Sequence, residues 1–87
     1  MILGRVVGNV WATRKKEELS GLKLLIVQRL DALSGDPLEN FVAVDCVGAG
    51  AGEKVLVAFG SSARKALDVS ESPVDASIVG IIDEAKE

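Results

Sequence analysis

Gly48-Ala49-Gly50-Ala51-Gly52-Glu53 is the stretch of this 87-residue chain whose residue types could cradle a phosphate. A P-loop needs G-x-x-x-x-G-K-[ST] opening a helix, so that backbone N–H groups and the helix terminus face the phosphates. Here Gly52 is followed by Glu53, the lysine is displaced to position 54, and Val55 stands where a magnesium-binding hydroxyl belongs. The dinucleotide fingerprint G-x-G-x-x-G fits at Gly48 and Gly50 but meets Glu53 at its third glycine. A carboxylate at the loop exit repels phosphate, and Lys54–Phe59 reads as strand rather than helix. Nucleotide binding is not expected. Two readings of the loop stay open. It is either a flexible hairpin connection or a loop kept small so that neighbouring backbones or subunits can crowd together.

Other chemistries fail for want of partners. Ser61 and Ser62 follow Gly60, but the chain has no histidine and no G-x-S-x-G, so a Ser-His-Asp arrangement is excluded. Asp31 and Glu39 are separated by the turn-forming Ser34-Gly35-Asp36-Pro37 and do not read as a catalytic pair. Asp45 reads as a strand-face carboxylate turned to water or to a neighbouring cation. No C-x-x-C is present, and the lone Cys46 reads as an inert thiol in an apolar strand. Neither enzymatic activity, nor a cofactor, nor a metal site is expected.

The elements that position these residues are mostly strands. Met1–Thr13 alternates loosely around Gly4 and Gly8, which marks a long, curved first strand with close backbone approaches. Arg14–Glu18 mixes charges and reads as a solvated loop. Leu19–Asp31 holds the second strand, with Leu22, Leu24, Ile26 and Leu30 on one face and Lys23, Leu25, Val27 and Arg29 on the other. Leu25 and Val27 on the wetter face point to a covering layer. Asn40–Val47 is the third strand and Lys54–Phe59 the fourth, and the glycine loop between them predicts a hairpin. Gly60–Leu67 is the one convincing helix, capped by Ser61 or Ser62, with Ala63, Ala66 and Leu67 as its apolar stripe. A Ser-, Asp- and Pro-bearing loop over 68–76, a last strand over Ser77–Asp83 and a charged tail complete the chain. The fold class is mainly β: a small, OB-like, five-stranded antiparallel β-barrel with one short α-helix, all in a single domain over 1–87. The helix lies between strands four and five, not between three and four as in most OB-folds.

Apolar residues make up 48% of the sequence, and the only aromatics are Trp11, Phe41 and Phe59. A chain this short buries only about 60–65% of its unfolded surface, so some of the aliphatic material should be buried against partners. With a net charge of −3 there is no electrostatic footprint for nucleic acid or an anionic membrane. No run is apolar enough for a membrane span, and the first residues read as strand rather than signal peptide. A soluble, intracellular protein is expected. The competing class, an OB-type module for single-stranded nucleic acid, would need a basic groove with stacking aromatics, which this composition does not offer.

The opening Met1-Ile2-Leu3-Gly4-Arg5-Val6-Val7-Gly8-Asn9-Val10-Trp11-Ala12-Thr13 resembles that of the EutN/CcmL family of bacterial microcompartment vertex proteins. Gly48–Glu53 is similar to the family's GAGxGE loop. Gly60-Ser61-Ser62-Ala63-Arg64 and Val79-Gly80-Ile81-Ile82-Asp83 follow in the family's order. The resemblance implies a pentamer of β-barrels shaped as a tapered disc, in the bacterial cytoplasm. It would sit at the vertices of a polyhedral shell, beside hexameric shell proteins that tile the facets, and would do no chemistry itself. On this reading Gly48, Ala49, Gly50, Ala51, Gly52 and Glu53 are expected at a subunit contact or around an axial pore. Ser61, Ser62 and Arg64 are expected to hold the helix cap and a neighbouring subunit.

Overall fold

The computed structural model describes residues 1–11, 17–19, 21–66 and 74–83. Five strands, β1 (Ile2–Asn9), β2 (Leu24–Leu30), β3 (Pro37–Asp45), β4 (Lys54–Phe59) and β5 (Ala76–Ile82), close a barrel in the order β1-β2-β3-β5-β4. Among the described residues one α-helix, α1 (Gly60–Ala66), follows β4 on the way to β5, and a short 3-10 turn covers Glu17–Leu19. Closure comes from β1 pairing with β4.

Four of the five pairings are antiparallel, and β3 runs parallel to β5 through Val44↔Ser77 and Asp45↔Ile78. An odd ring of strands cannot alternate direction all the way round, so one neighbouring pair must be parallel. The expected all-antiparallel barrel is corrected at that pair.

The expected β3–β4 hairpin is also absent. β5 lies between the two strands, bonded to both, so the connection 46–53 crosses the end of the barrel instead of folding back as a turn. β5 thereby bonds to β4 along its length and to β3 at Val44 and Asp45.

Alternate residues face the interior. Val6, Leu25, Val27, Ala43, Val55, Val57, Ala76 and Ile78 form the buried core, joined by Ala49 from the loop. The inward face of β2 is therefore the one with Leu25 and Val27, the reverse of what its charges suggest. Arg29 escapes to solvent because the register shifts between Gln28 and Leu30. Outside the barrel, Val44, Ala63 and Val74 form a second cluster with Leu19, Leu22 and Leu24, so the added cover lies over the Leu22 and Leu24 face, whereas Leu25 and Val27, for which a covering layer was expected, are enclosed by the barrel itself. Gly4 has the close approach expected of it. A Cβ there would run into the Val27 side chain and sit 3.1 Å from the Gln28 carbonyl oxygen.

The turn at 31–36 is built as its sequence implies. The Asp31 carboxylate accepts from the Leu33 and Ser34 N–H groups at 3.2 and 2.8 Å. The Ser34 bonds chiefly hold it below the usual carboxylate range. Glu39 faces Arg29 at 3.3 Å and not Asp31, so the two carboxylates form no pair. Arg14–Lys16, Leu67, most of the 68–76 loop and the tail beyond Asp83 lie outside the described residues.

Candidate functional site

The connection from β3 to β4 is held by two carboxylates. Asp45 ends β3 with its side chain only 3% exposed. Its Oδ1 accepts from the N–H groups of Val47 and Gly48, each at 3.1 Å, and its Oδ2 from Ala49 at 2.9 Å. Glu53 closes the other half, its Oε1 accepting from Gly50 at 2.7 Å while its own N–H donates to the Gly50 carbonyl at 3.1 Å. The loop is then stitched to β1. Gly52 N–H donates to Val6 C=O at 2.8 Å, Val6 N–H to Glu53 C=O at 3.0 Å, and Arg5 Nη1 to Gly52 C=O at 2.8 Å.

These hydrogen bonds decide between the chemistries. A phosphate loop works because its backbone N–H groups are free to point at the ligand. Here the N–H groups from Val47 to Gly50 already point at the chain's own carboxylates. A phosphate would have to displace Asp45 and Glu53 and face their charge. The flexible-connection reading fails on the same bonds.

Gly48 and Gly52 have φ of +84° and +86°, values that residues with a Cβ rarely adopt, so the turn itself demands them. Gly50 is different. Its φ is not in that region, and a Cβ there would meet only Glu53 Oε1, at 3.6 Å. Nothing described in the chain requires glycine at position 50. Ala49 is fully buried and plugs the barrel end, a core role that the alternation of small residues did not reveal. Ala51 and Glu53 lie exposed.

Lys23 completes the site from the segment before β2. Its Nζ donates to the Ala49 carbonyl at 2.9 Å and stands 3.6 Å from Asp45 Oδ2. Asp45 N–H donates to Lys23 C=O at 2.9 Å, so the two residues are also joined through the backbone. Sequence reasoning allowed Asp45 a neighbouring cation but did not name Lys23 or the loop amides. The D-x-V-G spacing (Asp45, Val47, Gly48), a short acceptor just before a turn, is the signal that carries them. The Cys46 thiol is pushed up by burial first and by the nearby Asp45, against a hydrogen bond with Ser77. It is half-buried at the rim rather than in the core, and weakly acidic.

The serines do not gather at this site. α1 is entered at Gly60, so Ser61 and Ser62 lie exposed within its first turn and not at the expected N-cap position. Arg64 turns back on its own chain, its Nη1 donating to the Val74 carbonyl at 3.1 Å. Ala63 is fully buried and Ala66 exposed. Ser77, buried, donates to the Ala63 carbonyl at 2.9 Å and ties the helix to β5. Phe41 and Phe59 pack on each other with ring centroids 5.5 Å apart, so they are partners in packing and not a platform for bases. Among the described residues no group of acidic or cysteine side chains could hold a metal ion, and no helix is long and apolar enough to cross a membrane.

Comparison with known proteins agrees with this architecture. The family model described as ethanolamine utilisation protein EutN/carboxysome matches residues 1–83. The carboxysome shell vertex protein CcmL of Synechocystis sp. is 54% identical over 84 residues, covering 95% of this chain and 83% of that protein. The microcompartment shell vertex protein GrpN of Rhodospirillum rubrum is 49% identical, covering 95% and 93%. Its solved structure, described as a pentameric shell protein, superposes with a TM-score of 0.86 over 100% of this chain and 99% of that one. An EutN structure gives a TM-score of 0.90 at 42% identity, over 100% and 91%. This closed five-stranded barrel with its self-bonded glycine loop belongs to the EutN/CcmL family of bacterial microcompartment shell vertex proteins.

Proposed function

We propose that this chain assembles into a ring of five that closes the vertices of a polyhedral microcompartment in the bacterial cytoplasm, flanked by hexameric shell proteins. The role is structural. The observation that carries it is the GrpN likeness, a pentameric shell protein matched over the whole chain at 48% identity. The chain's own surface supports it, since Val7, Val42 and Ile81 are each about half exposed on the barrel strands. A head-to-tail contact repeated around an axis buries such faces and closes on itself.

Within that ring we place Gly48–Gly52 at a subunit contact or beside the axis, with Gly50 as the point of closest approach. Glycine at 50 is unexplained by the chain's own φ angles or packing, so a neighbouring subunit is the remaining source of crowding.

Native mass spectrometry tests the assembly. A mass five times that of the chain is expected, and a single chain persisting at high concentration would overturn the reading. Gly50→Leu tests the loop: the barrel should keep its circular dichroism while light scattering shows the ring lost. A fully assembled variant would remove the loop from the contact.

A further inference from the structure

We infer that Asp45 and Lys23 are positioning residues for assembly, giving the glycine loop its shape before a neighbouring subunit reaches it. The inference rests on the reading that Gly48–Gly52 lies at a subunit contact. Its basis is the geometry of the nest. Three successive N–H groups, those of Val47, Gly48 and Ala49, converge on one carboxylate that is almost wholly shielded from water. Successive backbone N–H groups make a concavity suited to an anion. Here the anion is covalently attached two residues upstream.

Lys23 acts on both sides of that arrangement. Its ammonium lies 3.6 Å from Asp45 Oδ2 and offsets the charge that the strand end has buried. The same ammonium donates to the Ala49 carbonyl, so the cation grips the loop and the carboxylate together. Ala49 is thereby held in the barrel end, and Gly50 emerges next to it with its N–H already taken by Glu53. A loop ordered in the free chain pays no ordering entropy when the ring closes, which is how preorganisation strengthens association. The geometric demand on each partner is specific. An asparagine at 45 would turn an NH2 group toward one of the N–H donors, and a methionine at 23 would leave the carboxylate without its cation.

Chemical rescue is the test. Asp45→Ala removes the carboxylate but keeps the three N–H groups and the Lys23 ammonium around a space of formate size. The variant is expected to keep the barrel by circular dichroism and to need about tenfold or more higher concentration to form the ring, since charge-assisted hydrogen bonds are lost. Excess formate should restore assembly, and chloride at equal ionic strength should not. A ring that forms at the concentration of the parent, or formate and chloride acting alike, overturns the inference. If Asp45→Ala does not fold, Lys23→Met decides the matter with Asp45 left in its strand. Weaker assembly recovered by Lys23→Arg supports the role, and an unchanged ring overturns it. Failure here is separable from failure of the loop contact. An assembled Gly50→Leu removes the contact itself, whereas a dispersed Gly50→Leu beside an intact Asp45→Ala removes only the positioning.

Discussion

In the glycine loop every N–H from Val47 to Gly50 finds an acceptor within the chain, whereas on the outer side of β3 Val42 stands 50% exposed beside Ile26 of β2. The difference follows from the chemistry of each surface. A backbone N–H carried into a contact unpaired costs about 1–3 kcal/mol, so a polar loop must be complete before it meets a partner. Apolar surface is worth about 25 cal/mol per Å² wherever it is covered and has no direction to satisfy. It can wait for assembly. A chain that folds first and closes into a ring afterwards therefore finishes its polar groups internally and leaves its hydrophobic ones for the neighbour.

The largest effect should come from charging the waiting surface. Val42→Asp puts an ion at a half-exposed position of β3, two residues before the buried Val44 on the same face. Fold stability should change by less than about 0.5 kcal/mol, as at other exposed sites. Ring formation should weaken by more than about 2 kcal/mol, because the carboxylate would be desolvated without a partner. Sedimentation of the variant against its thermal melt separates the two. A ring of normal mass would show that this face stays wet in the assembly and that the contrast with the loop is drawn at the wrong place.

What could be read in advance follows the same division. The barrel and its one helix were legible because period-two alternation and the Gly60-Ser61-Ser62 start are local signals. The four blocks matching the EutN/CcmL family were legible for the same reason, and the family is the one the comparisons identify. Strand neighbours were not. Whether β4 pairs with β3 or with β5 depends on residues far along the chain, and the glycines of the connection fit either outcome. The inward face of β2 was misjudged because Lys23 and Arg29 flank Leu25 and Val27. One of these cations reaches out to the loop, and the other lies past a register shift. At the candidate site Gly48 and Gly52 were visible as glycine, but Asp45 looked like an ordinary strand carboxylate. Its role needed the loop amides folded over it.

A middle-sized effect should come from the loop's one contribution to the interior. Ala49 is fully buried among Val6, Val27, Val55 and Ile78, so Ala49→Leu inserts three carbons into a filled end. A loss of about 1–3 kcal/mol is expected in chemical denaturation of the dissociated chain. The ring should suffer in the same variant, since Gly50 would be pushed outward. A barrel of unchanged stability would mean that the loop can lift away from the core, and the rigidity ascribed to it would fail.

The smallest effect is expected at Arg64, where the sequence suggests a neighbour-facing residue and the structure shows a bond within the chain. Its guanidinium donates to the Val74 carbonyl, tying α1 to the segment that enters β5. Arg64→Ala should cost about 1 kcal/mol of barrel stability, the ordinary worth of one such hydrogen bond. If Arg64 acts only on its own chain, ring strength measured by dilution should fall no further than that loss explains. A rise in free chain well beyond it would assign Arg64 a second bond across the subunit contact. Arg64 would then join Gly50 among the residues proposed to act across that contact.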